Sequence, residues 1–144
     1  LKQISQENLL IGSMKGGLKM YKEHNAHPKG LKTSDCIVRA IATATNSDYL
    51  ETRRELNRRK RELGYTSYKD TKFLYDYFKG YPRLIFKPVK GEPRIKGSDF
   101  AELHPKGTYI LKMAGHITAC VDGVILDTWD CSYRSVYTAW EVKK

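Results

Sequence analysis

Asp122-Gly123 sits between two short apolar runs, and no other dipeptide in this chain restricts its folding as tightly. Asp-Gly favours a two-residue type I′ loop, in which both central residues take positive φ, and such a loop fixes the pairing on either side. Val121 then lies opposite Val124, Cys120 opposite Ile125, Thr118 opposite Asp127 and His116 opposite Trp129. Side chains alternate between the two faces of a strand. His116, Thr118, Cys120, Ile125, Asp127 and Trp129 therefore share one face. Ile117, Ala119, Val121, Val124 and Leu126 share the other, which reads as core. His116 and Asp127 become diagonal neighbours, with Cβ atoms roughly 7–8 Å apart or less, within reach of imidazole and carboxylate.

Helical patterns precede this hairpin. Thr33, Ser34 and Asp35 offer N-caps to an apolar stripe of Ile37, Val38, Ala40, Ile41 and Ala44, whose alanines suit a short, centrally packed helix. A second helix begins near Asp48, with Glu51 completing a capping box. It runs through Tyr49, Leu56 and Leu63 and stops at Gly64. A third covers Asp70 to Lys79, carrying Phe73, Leu74, Tyr77 and Phe78, and ends at Gly80. Residues 81–98 hold Pro82, Pro88 and Pro93 and read as loop, with one short strand at Leu84–Phe86. One helical turn is expected at Ser98–Leu103. From Thr108 the period becomes two, giving strands at Thr108–Met113, His116–Val121, Val124–Trp129 and Val136–Val142. Helices followed by antiparallel strands make an α+β chain.

Residues 1–32 are weakly patterned. Gly12-Ser13-Met14 and Gly16-Gly17 interrupt any helix, and His27-Pro28-Lys29-Gly30 is a turn signal. With Leu1 rather than Met at its head, this segment is expected to be partly foreign to the domain or the trimmed end of a longer protein. A single domain then spans 33–144.

The chain carries 26 Lys and Arg against 16 Asp and Glu, a net charge of +10 that attracts polyanions or acidic partners. Much of it is concentrated in the second helix, at Arg53, Arg54, Arg58, Arg59, Lys60 and Arg61. At 40% hydrophobic and 29% charged residues, the composition excludes wholesale disorder and a rod. No apolar run approaches the roughly 20 residues of a spanning helix, and the first residues lack the charged stretch and apolar core of a secretory signal, so no membrane partner is expected. There is no phosphate loop, dinucleotide fingerprint or RNA-recognition signature.

Three cysteines are an odd count and argue against a disulfide framework. Cys120, in mid-strand, reads as core, and Cys131, past the strand, is given no part. Cys36 differs. It falls in the first turn of a helix, where free N–H groups and the dipole favour a thiolate. A thiol, an imidazole and a carboxylate are the parts of a nucleophilic triad. Metal binding is not expected, because His24, His27 and Cys36 lack the close CxxC or HxxxH spacing of a tetrahedral site.

Asp35-Cys36 opening a helix (DCIVRAIATAT), followed by Gly115-His116 on one strand and Asp127 on the next (GHITACVDGVILDTW), resembles the papain-like cysteine peptidase superfamily. It is most similar to compact C39-like domains of the bacteriocin-processing type and to small phage and bacterial proteins of that shape. The resemblance covers residues 33–142. It implies an N-terminal helical part bearing the nucleophile Cys36 and a C-terminal antiparallel sheet bearing the base His116 and the orienting Asp127. The family ordinarily places Gln six residues before the cysteine. This chain has Gly30 there, and its glutamines are Gln3 and Gln6. The oxyanion donors would then be the Cys36 backbone N–H with Asn25, Thr33 or Ser34.

The implied function is thiol-dependent hydrolysis of an amide bond in a peptide or protein. It needs no cofactor and takes place in the cytoplasm of a bacterium, or of the host cell if the chain is phage-encoded. The same triad supports acyl transfer or deamidation. The competing reading is a non-catalytic papain-like module in which Arg53, Arg54, Arg58 and Arg61 bind nucleic acid or an acidic protein. Against that stands a solvated helix face paired internally with Glu51, Glu55 and Glu62.

Overall fold

A computed structural model describes residues 20–143. The glycine breaks at 12–17, Gln3 and Gln6 lie outside the described residues. Within them the chain forms β1 (Tyr21–Glu23), α1 (Cys36–Thr45), α2 (Tyr49–Leu63), α3 (Thr71–Tyr77), β2 (Arg83–Ile85), α4 (Gly97–Leu103), β3 (Thr108–Met113), β4 (His116–Val121), β5 (Val124–Asp127) and β6 (Val136–Glu141). The fold is α+β, with four helices and one six-stranded sheet ordered β1-β5-β4-β3-β6-β2.

The helix ends follow their capping chemistry. Asp48 accepts the Glu51 N–H at the start of α2, and Gly64 closes it in the left-handed region. Asp70 likewise accepts the Lys72 N–H to open α3. That helix ends at Tyr77, two residues before the expected Lys79, because Phe78 already leaves helical geometry to enter the core. α1 ends at Asn46, whose φ of 55° lets its N–H reach the Ala42 and Thr43 carbonyls. α4 has two turns rather than one, since Asp99 accepts the Lys96 N–H and anchors its first turn.

The sheet corrects the expectation of a purely antiparallel arrangement. β1 pairs in parallel with β5, Tyr21 opposite Ile125 and Glu23 opposite Asp127. Residues 20–23, from the weakly patterned segment, thus supply an edge of the sheet. The other strands are antiparallel. β5 stops at Asp127 rather than Trp129, where the chain turns away into the 128–135 loop.

The central hairpin has the expected register. Val121 pairs with Val124, Cys120 with Ile125 and Ala119 with Leu126, across a loop in which Asp122 has φ 49° and Gly123 φ 77°. A Cβ on Gly123 would lie 3.1 Å from the Ala101 carbonyl oxygen of α4 and 3.2 Å from the Pro105 Cα. Gly123→Ala is therefore expected to cost about 2–3 kcal/mol from strain and crowding together, lowering the melting temperature by roughly 5–10 °C. A melting curve unchanged by that substitution would contradict the turn geometry.

Both faces of the sheet are covered, which corrects the reading of one core face. α1, α2 and α3 pack on one side with Ile110, Ile117, Ala119 and Trp140. Phe78 and Tyr75 meet Trp140 there, at ring-centroid distances of 4.7 and 5.2 Å. On the other side Phe100 and Ala101 of α4 close over Leu111, Met113, Cys120 and Ile125. Val121, Val124 and Leu126, expected in the core, are half-buried. The site lies where α1 begins and β4 begins, near the end of β5.

Candidate active site

Cys36 is the first residue of α1 and is half-buried. Its N–H is one of those that a helix start leaves without an intrahelical partner. Asp35 before it makes no capping bond; its carboxylate instead accepts hydrogen bonds from the Tyr49 and Tyr68 hydroxyls, which pin this end of the helix.

His116 opens β4, and its Nε2 lies 2.8 Å from Asp127 Oδ2, with both side chains buried. That leaves Nδ1 for another partner. Asp127 Oδ1 accepts the Thr128 N–H at 2.7 Å. The alternation along β4 and β5 thus puts imidazole and carboxylate together as the hairpin register requires. Trp129 follows onto the same side and lies against the His116 ring, centroids 4.8 Å apart, while remaining 36% exposed.

The charges of these groups are coupled. Burial pushes the Cys36 thiol up. The polar neighbours His116 and the Ile117 backbone N–H, with the positive charges of His116 and Arg39, outweigh it, so the thiol lies below its ordinary value. Burial alone would lower the His116 pKa, but its hydrogen bond to Asp127 and the neighbouring Cys131 and Cys36 thiols raise it far above the usual imidazole range. Asp127, also buried, is held below the usual carboxylate range by its bond to His116 and the imidazolium charge. Together they favour a thiolate–imidazolium pair backed by a carboxylate.

Two members of this cluster carried no signal in the sequence reading. Arg39, one turn into α1, is buried. Its Nη1 donates to the Thr33 carbonyl at 2.5 Å and its Nη2 lies 3.8 Å from Asp127 Oδ1. It ties the helix that carries Cys36 to the carboxylate behind His116. Cys131, given no part above, is fully buried, and its Sγ lies 3.5 Å from Asp127 Oδ2. Its thiol is a second donor to the orienting carboxylate. His116, Asp127 and Cys131 each bring one ligand-type atom within 4.8 Å of the others. The 2.8 Å imidazole–carboxylate hydrogen bond already occupies the facing atoms of two of them.

Of the proposed oxyanion side chains, Asn25 is already engaged. Asn25 spends its amide within its own loop, donating to the Leu31 carbonyl at 2.9 Å and accepting the His27 N–H at 3.0 Å. Thr33 and Ser34 are exposed. The backbone N–H of Cys36 remains the donor fixed by the fold.

The arginine-rich face of α2 is partly neutralised. Arg58 lies between Glu55 and Glu62 at 2.5 and 2.6 Å, and Arg59 pairs with Glu62 at 3.0 Å. Exposed i,i+3 and i,i+4 pairs of this kind are the solvated-face pattern. Among the described residues Arg53, Arg54 and Arg61 are exposed and make no ion pair, whereas Arg58 is paired with two carboxylates. No helix among them is long and apolar enough to cross a membrane.

Compared with family models, curated proteins and solved structures, the chain matches none.

Proposed function

We propose that this protein is a thiol-dependent hydrolase of papain-like organisation, cleaving an amide bond of a peptide or protein with Cys36 as nucleophile, His116 as acid and base, and Asp127 as the orienting group. The observation that carries this reading is the buried His116–Asp127 hydrogen bond of 2.8 Å beside a helix-start thiol whose pKa that same imidazole lowers. A thiol, an imidazole and a carboxylate from distant points in the sequence supply the nucleophile, base and orienting group that acyl transfer needs.

The Cys36 thiolate attacks the carbonyl carbon, and the carbonyl oxygen takes the negative charge beside the Cys36 N–H. His116 gives its Nδ1 proton to the departing nitrogen, and the amide C–N bond breaks to leave a thioester on Cys36. Water then adds to the thioester with its proton going to His116. Collapse releases the carboxylic acid and restores the thiolate–imidazolium pair. Asp127 holds Nε2–H and so keeps Nδ1 turned toward the sulfur.

Short incubation with an activated ester such as p-nitrophenyl acetate tests the central step. A burst of nitrophenol and an acetyl mass on the Cys36 peptide are expected, with both missing in Cys36→Ala. Equal, burst-free release by the two proteins would remove the reading.

A further inference from the structure

One cation beside the nucleophile has no task in this mechanism. Lys112 on β3 pairs with Ile117 of β4 on one side and Thr138 of β6 on the other. Ile110, two residues earlier, packs with α1, so alternation turns Lys112 toward the same side of the sheet. The Ile117 N–H is one of the groups acting on the Cys36 sulfur. Cys36 and Ile117 line one cleft, and Lys112 is Ile117's direct partner on the next strand, a Cα separation of about 4.5–5.5 Å.

Among the described residues no carboxylate is paired with Lys112. The lysine is half-buried, and its ammonium donates to the Met113 carbonyl at 2.8 Å. Ile117 is apolar, and the Thr138 hydroxyl is bonded to Tyr75 at 2.7 Å. Burial lowers the lysine's pKa, and the negative charge on Cys36 opposes that. An ammonium has three donors, so two remain for a ligand.

We propose that Lys112 selects the substrate: its ammonium pairs with a carboxylate carried next to the bond that Cys36 attacks, so the preferred substrates are anionic at that position. The proposal deepens the hydrolase reading and rests on Cys36 being the nucleophile. It also gives the sequence's excess of positive charge a local use, since a cation at the thiol steers and retains a negatively charged acyl group.

Alkylation separates charge recognition from turnover. Iodoacetate and iodoacetamide form the same S–C bond to Cys36 and expel iodide, but only iodoacetate carries a carboxylate. Rates of Cys36 modification on the intact protein are measured for wild type, Lys112→Met, Lys112→Gln and Lys112→Arg, with circular dichroism confirming each fold. The iodoacetate-to-iodoacetamide ratio is expected to fall roughly 3- to 10-fold in Lys112→Met and Lys112→Gln at low salt. It should hold in Lys112→Arg, and the difference should shrink at about 1 M salt. Rapid labelling with the same ratio in wild type and both neutral variants overturns the role of Lys112 and leaves the nucleophile standing. Labelling no faster than in the unfolded chain, with either reagent, overturns the nucleophile and this proposal with it.

Discussion

Iodoacetamide is expected to alkylate Cys36 at about pH 6 on the order of 10- to 100-fold faster than it alkylates the unfolded chain. A free thiol with pKa near 8.5 is only about 0.3% ionised at that pH. Cys36 is held below its ordinary value by His116, Ile117 N–H and Arg39 despite its burial, so far more of it is thiolate. Part of the gain is returned because a less basic thiolate is a weaker nucleophile. The other two cysteines stay silent: Cys120 is buried and pushed up to about 12, and Cys131 is fully buried. His116→Ala removes the polar neighbour and its positive charge together and is expected to erase most of the advantage. Brief pulses followed by peptide mass spectrometry, repeated across pH, read this directly. Cys36 labelling that matches the unfolded control, or that His116→Ala leaves unchanged, would sink the thiolate–imidazolium pair.

Asp127→Ala is expected to be the most damaging single substitution at the site, destabilising the fold by about 3–5 kcal/mol. It leaves the buried imidazolium of His116 and the buried guanidinium of Arg39 facing each other without the carboxylate that lies 2.8 and 3.8 Å from them. Asp127→Asn keeps the volume and an acceptor for Nε2–H and should fold better, yet still slow turnover because it removes the negative charge that stabilises the imidazolium. The pH dependence follows from the same contacts. The Asp127 pKa is depressed from 3.8, so its contribution to stability is present above that value and is lost as pH falls through the folded pKa. The His116 pKa is raised from 6.5, so its contribution is full below 6.5 and is lost as pH rises toward its folded value. Denaturant titrations at pH values from about 2 to 10 should show the acid decline in wild type and a flatter one in Asp127→Asn. An acid limb identical in both would assign that decline to other carboxylates.

What the sequence revealed and what it hid divide along physical lines. The β4–β5 hairpin was legible because a two-residue turn and period-two alternation are local, and together they specify which side chains share a face. The cap at Asp48 is equally local. β1 was not legible: it has three residues, mostly exposed, and takes its order from a partner strand far along the chain. Arg39 is one polar residue within a mostly apolar helix, and periodicity names no partner for it. Only the placement of α1 against β5 brings its guanidinium to Asp127. Cys131 was hidden for another reason, since it lies on an irregular loop where alternation assigns no face. A buried cation one turn after a helix-start cysteine is nonetheless a pattern that could prompt a search for its carboxylate.

The parallel edge strand also bears on the order in which the protein can become competent during synthesis. The Met20 carbonyl takes the Ile125 N–H at 2.7 Å, the His24 N–H reaches the Asp127 carbonyl at 2.8 Å, and the Tyr21 hydroxyl bonds that carbonyl from 106 residues away. None of these bonds can form until β5 has left the ribosome. The nucleophile's helix is made early, whereas the hairpin that ionises its thiol and the edge that braces Asp127 arrive late. Long-range pairings of this kind are slow to close. The nascent chain therefore carries Cys36 before His116 and Asp127 are in place, and the complete cluster forms only as a late event of folding.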